Sequence, residues 1–118
     1  MKNRRLLVLL TLLIAPLCIS TCVHAQQTAN TIEVHARRFS FVPAEITVTK
    51  GEPVALELIS DDVPHSLVVK DLGINQTITK GHASEVTFTP ANSGDFKGEC
   101  GRFCGSGHGS MLFVVHVK

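Results

Sequence analysis

From residue 31 onward the apolar side chains recur at every second position rather than every third or fourth. Thr31 to Phe41 sets Ile32, Val34 and Ala36 against Glu33, His35 and Arg37, and Glu45 to Thr49 puts Ile46 and Val48 on one face. Val54 to Ser60 groups Val54, Leu56 and Leu58, and Ser84 to Thr89 turns Val86 and Phe88 inward. His65 to Lys70 and Met111 to Lys118 read as further strands. Period two marks half-buried extended backbone, because successive side chains of a strand point to opposite faces. Between the runs stand Lys50-Gly51-Glu52-Pro53, Asp61-Asp62-Val63-Pro64 and Pro90-Ala91-Asn92-Ser93-Gly94, all rich in turn-forming residues. No segment after residue 30 sustains a helical period. Seven or so short strands at this spacing predict an all-β chain, a single antiparallel or mixed β-sandwich over residues 31–118.

The start of the chain follows another pattern. Lys2, Arg4 and Arg5 precede a nearly unbroken apolar run from Leu6 to Ile19, and Val23-His24-Ala25 offers small or short side chains for signal peptidase. The run is about 14 residues, against roughly 20 for a bilayer span. Residues 1–25 therefore read as a cleaved signal peptide, and 26–30 as a short disordered lead-in. An uncleaved anchor and lipid attachment at Cys22 are the competing readings. Export to the periplasm as a soluble domain, with no stable membrane span after cleavage, is the expectation.

Composition then narrows the partners. Removing Lys2, Arg4 and Arg5 takes the 11 basic residues to 8 against 10 acidic ones, a net charge of −2. Without a basic run, nucleic acid is not an expected partner. Of the four cysteines, Cys18 and Cys22 fall in the signal, which leaves Cys100 and Cys104. One cysteine pair in an exported protein fits a disulfide. That reading leaves His108 and Met111 without a role.

Cys100, Cys104, His108 and Met111 follow the spacing C-x3-C-x3-H-x2-M, with glycine at 101, 105, 107 and 109. Such glycine density suits a loop turning tightly around something close. The loop joins the strand carrying Phe96 to the one carrying Leu112, at one end of the sandwich. Thiolates, imidazole and thioether together suit copper better than magnesium or calcium. Zinc accepts Cys and His but rarely Met, so Met111 tips the choice to copper. His65, 35 residues upstream and directly after Pro64, begins a strand that can lie beside this loop.

These residues carry a resemblance. The sequence is similar to the cupredoxin family, and within it to the binuclear copper (CuA) domain of cytochrome c oxidase subunit II and nitrous oxide reductase. Phe39 to Val54 resembles the family's opening strands, Asp62-Val63-Pro64-His65-Ser66-Leu67 the segment of its first histidine, and Cys100 to Met111 its binuclear loop. The resemblance implies a Greek-key β-sandwich with two copper ions bridged by Cys100 and Cys104. It implies that His65 and Met111 complete one ion and His108 the other, with the main-chain carbonyl of Arg102 as a weak fourth donor. Oxidase subunits commonly carry Glu where Arg102 stands, facing an interface magnesium that a guanidinium cannot serve. The family's transmembrane hairpin and a docking Trp or Tyr are also missing, which argues against membership of an oxidase complex.

The resemblance implies electron transfer. Copper delivery, storage or tolerance is the alternative, and the redox or copper-exchange partner stays unidentified. Catalysis is not expected, because every implied donor is protein-derived and leaves no open position for a substrate. His35 and His82 read as solvated, His116 is unsettled, and Arg37-Arg38 reads as an exposed strand edge.

Overall fold

The structure, a computed structural model, describes residues 28–118. The expected signal peptide, its cleavage before Gln26 and the first two residues of the lead-in lie outside them. Asn30, the last residue of that lead-in, already belongs to the first strand.

Among the described residues, nine strands form two facing sheets. The first contains β1 (Asn30–Arg37), β2 (Ser40–Val42), β4 (Val54–Ser60) and β7 (Ser84–Phe88), in the order β2-β1-β4-β7. The second contains β3 (Glu45–Val48), β5 (His65–Val69), β6 (Ile74–Ile78), β8 (Gly94–Glu99) and β9 (Leu112–Val117), in the order β3-β9-β8-β5-β6. β1 runs parallel to β4 and β3 parallel to β9, while the other pairs are antiparallel. The all-β sandwich expected from the alternation, antiparallel or mixed, is the architecture found, in its mixed form.

Two differences matter near one end of the sandwich. The run from Thr31 to Phe41 is not one strand: it breaks at Arg38-Phe39, where the chain folds back from β1 into β2. β6 is invisible to the alternation, because Asn75, Gln76 and Thr77 interrupt its apolar pattern between Ile74 and Ile78. A short 3-10 turn over Lys70–Leu72, ending in Gly73 at φ 68°, reverses the chain from β5 into β6. Glycine reaches that left-handed conformation without a side-chain clash.

The alternating residues meet between the sheets. Val34, Leu56, Leu58, Leu67, Val69, Ile74, Ile78 and Val115 are fully buried or nearly so, and Phe41 meets Phe113 edge-on at 5.7 Å. Burying one such aliphatic or aromatic side chain contributes roughly 1.5–3 kcal/mol. This core fixes the strand ends. β5 lies between β6 and β8, touching β8 through Val68 and Glu99, so His65 sits beside the residue that follows β8, Cys100.

On the outer faces two histidines each bridge a pair of carboxylates. His35 binds Asp61 at 2.7 Å and Glu33 at 2.8 Å; His116 on β9 binds Asp95 on β8 at 2.7 Å and Glu45 on β3 at 3.1 Å. The bonds to Asp61 and then Glu33 raise the pKa of His35 above 6.5, and those to Asp95 and then Glu45 do the same for His116. A raised folded-state value means that the stabilisation is present below 6.5 and is lost as pH rises through the folded value. Thermal denaturation from about pH 6 to about pH 9 should show the wild-type melting temperature falling more than that of a His35→Gln/His116→Gln variant. Parallel curves would mean that neither cluster contributes.

Candidate metal centre

The segment 100–111 leaves β8 and returns as β9. Cys100 N–H donates to the Met111 carbonyl at 3.1 Å, closing the base of the loop. Inside it, His108 N–H donates to the Gly105 carbonyl, Ser110 N–H to the Gly107 carbonyl and Met111 N–H to the His108 carbonyl, at 3.0–3.2 Å. The Ser110 hydroxyl adds a second bond to the Gly107 carbonyl at 2.7 Å. These bonds wind His108–Ser110 into a single 3-10 turn that sets the height of the His108 ring.

Two of the glycines are required by neighbours. A Cβ on Gly107 would stand 2.4 Å from the Phe39 ring, and one on Gly101 would stand 2.5 Å from a Val68 methyl. The bare backbone lets the loop lie flat on Phe39, in the β1–β2 turn, and on β5. The density of glycine is legible in the sequence; the ring beneath it is not.

Five of the sequence-selected side chains converge. His65 and Met111 are completely buried, and Cys100 and Cys104 are 3% and 6% exposed. Among the described residues, His65, Cys100 and Cys104 form a group whose ligand atoms all lie within 4.8 Å of one another. His65 Nδ1 is 3.9 Å from Cys100 Sγ. At the other thiol, His108 Nδ1 is 3.8 Å and Met111 Sδ 3.9 Å from Cys104 Sγ. The sixth candidate, the Arg102 carbonyl, accepts from the Cys100 thiol at 3.1 Å, while its side chain is exposed. Both thiols are free. His35, His82 and His116 lie elsewhere, as their sequence context suggests.

The partners that orient this set are not marked in the sequence. Asp62 accepts from Arg38 N–H at 2.8 Å, from Val63 N–H at 2.6 Å and from His65 Nε2 at 2.8 Å. Partial burial alone would raise the Asp62 pKa, but the bonds from Arg38, His65 and Val63 outweigh it and lower the value to about 2. An ionised carboxylate only accepts, so His65 carries its proton on Nε2 and turns the Nδ1 lone pair toward Cys100. Arg38 is no idle edge residue: its Nε donates to the Cys104 carbonyl at 2.8 Å.

Burial first, and then the neighbouring Cys100 thiol, raise the Cys104 pKa, with the Arg38 guanidinium acting in the opposite direction. Two soft sulfurs held together and flanked by imidazoles and a thioether make a poor hydrogen-bond network but a well-matched donor set for a soft metal. Tetrahedral bonds of about 2.2 Å place neighbouring donors roughly 3.6 Å apart, close to the spacings found here. The donor set therefore fits a thiophilic ion such as copper.

Comparison with known proteins agrees with this fold. The family described as Cupredoxin-like domain matches residues 9–113. Cytochrome c oxidase subunit 2 of Thermus thermophilus is 32% identical over 88 residues, which are 75% of this chain and 65% of that protein. A second subunit 2, from a named strain of the same species, shows the same identity over 75% of this chain and 52% of its own length. The chain thus spans less than two thirds of each of these curated relatives. In fold it is similar to the periplasmic domain of subunit II of cytochrome oxidase of Bradyrhizobium japonicum, with TM-score 0.70, 18% identity, and coverage of 75% of this chain and 83% of that one.

The Phe39–Gly107 contact yields a direct test. Gly107→Ala should destabilise the fold by about 1–3 kcal/mol, as overpacking does. In a Phe39→Ala background that cost should vanish, giving strong non-additivity by denaturant titration. Additive losses would show that the ring does not set the loop.

Proposed function

The chain belongs to the cupredoxin-like family, and from that premise we propose that it is a periplasmic copper-binding electron carrier rather than a catalyst. The observation that carries the reading is the pair of buried free thiols, with His65 against Cys100 and His108 and Met111 against Cys104. A set with two such poles around a shared pair of sulfurs favours two copper ions over one. His65, Cys100, Cys104, His108 and Met111 would hold them, with the Arg102 carbonyl as a weak further donor. The name of the curated relatives, subunit 2 of an oxidase, supports electron transfer as the use of the site.

Bound copper supplies a one-electron couple. The protein's part is to keep its donors still while the charge changes. Asp62 fixes the His65 tautomer, the 3-10 turn fixes His108, and the core holds Met111 from behind. Donors locked by packing and by hydrogen bonds from behind them move little between redox states.

Copper delivery remains a second reading for one reason: Cys104 lines a surface cleft, which gives a partner's ligand an approach to the centre. Anaerobic copper titration with visible and paramagnetic spectroscopy should give two ions per chain and a mixed-valence signature. Cys100→Ser and Cys104→Ser should each abolish that signature. Saturation at one ion with a type 1 spectrum would reject the binuclear assignment. Easy loss of the reduced metal to a modest Cu(I) chelator, without electron exchange, would favour delivery.

Export is part of the proposal, and it rests on the charged start, the short apolar run and Val23-His24-Ala25. Intact mass spectrometry of the periplasmic fraction should find a chain beginning at Gln26. A retained leader or a lipidated Cys22 would reject a soluble protein.

A further inference from the structure

On the solvent side of Cys104 a cleft of about 270 Å³ is lined by Arg38, Val63, Pro64, Arg102, Phe103 and Cys104, with no carboxylate among its lining residues. Phe103 is 77% exposed, the most exposed large apolar side chain among the described residues. Its ring centroid lies 5.8 Å from that of His108, so the apolar surface adjoins the candidate centre.

The electrostatics of this mouth oppose those of the chain. Residues 28–118 carry 8 Lys and Arg against 10 Asp and Glu, a net charge of −2, yet two arginines line the cleft. Of the acidic residues close by in sequence, Asp61 binds His35 and Asp62 binds Arg38 N–H, Val63 N–H and His65, while Glu99, three residues before Arg102, is exposed and lines a separate pocket. Neither Arg38 nor Arg102 enters an ion pair among the described residues. Arg38 is anchored at Nε by the Cys104 carbonyl, which limits how far its guanidinium can swing. A guanidinium presented in this way is matched by a carboxylate, which accepts two parallel bonds.

We propose that this mouth is a docking surface for an acidic exchange protein, whose carboxylates bind Arg38 and Arg102 while an adjoining apolar patch covers Phe103. What passes between the two proteins rests on the copper reading above; the contact itself does not. A lysine-rich partner would set ammonium groups against two guanidiniums, a like-charge juxtaposition that opposes association. The surface also puts the partner next to His108 and Cys104, the side of the centre nearest solvent.

The test is titration of the 15N-labelled, reduced protein with an acidic monohaem cytochrome c and, separately, with a lysine-rich one. The acidic protein should shift the amides of Arg38, Val63 and residues 102–105. Its dissociation constant should rise at least several-fold between about 20 and about 200 mM salt, where the screening length shortens markedly. Arg102→Glu, which removes no hydrogen bond of the described fold, should weaken the acidic cytochrome by about tenfold or more and strengthen the lysine-rich one. Tighter binding of the lysine-rich cytochrome to wild type, shifts centred on another face, no binding of the acidic cytochrome, or an Arg102→Glu variant with unchanged constants would each overturn the proposal. Copper stoichiometry measured on the same sample separates the two readings. A chain that takes up no copper yet binds the acidic protein here sinks the first and keeps the second.

Discussion

The Asp62 carboxylate sets the geometry on which the candidate centre depends. Three donors converge on it: the main chain at Arg38, the main chain at Val63 and the ring of His65. It thereby ties the β1–β2 turn to the β4–β5 loop and decides which nitrogen of a buried imidazole faces the sulfurs. A free neutral histidine can carry its proton on either nitrogen. The wrong tautomer would point an N–H at Cys100 and offer no lone pair to a metal. Although burial alone would raise the Asp62 pKa, the bonds from Arg38, His65 and Val63 lower it to about 2, so an ionised, acceptor-only carboxylate faces the ring near neutral pH.

From Asp62 the constraint runs round the site. Arg38 passes it to the Cys104 carbonyl, Phe39 supports the loop beneath Gly105 and Gly107, and the Cys100–Met111 bond closes the base. Ordering backbone costs about 1–2 kcal/mol per residue, a serious demand on a glycine-rich segment. A loop held only by a bound ion would rearrange whenever the ion's charge changed. Here hydrogen bonds and an aromatic support hold it independently, and that suits a site in which electrons move while ligands do not.

How much of this is legible in the sequence differs by residue. Val54–Ser60 can be read to its ends, because apolar alternation is bounded by Gly51-Glu52-Pro53 on one side and Asp61-Asp62 on the other. β6 is hidden by three consecutive polar residues that only its place beside β5 makes extended. His65 is singled out by the resemblance, whereas the four candidate donors that share one loop can be read from residue type and spacing. Asp62 and Arg38 cannot, since nothing local marks a carboxylate that will meet a ring three residues on, or an arginine that will reach a carbonyl 66 residues away. The Arg37-Arg38 pair looks like a charged strand edge until the break between β1 and β2 turns Arg38 toward the loop.

Arg38 also explains why the centre and its mouth belong to one design. Its main-chain N–H serves Asp62, its Nε serves Cys104, and the residue lines the cleft. Lysine has the charge but not the fork: an ammonium bonded to the carbonyl has no rigid second edge to present outward. Losing the guanidinium would therefore release the Cys104 segment and discharge half of the basic mouth in one change. The guanidinium also opposes the burial and thiol–thiol repulsion that raise the Cys104 pKa, so it favours the thiolate that a metal requires. A residue with three such tasks leaves little freedom for the loop to move on its own. Whatever docks at the mouth meets a surface that is mechanically continuous with the donors behind it.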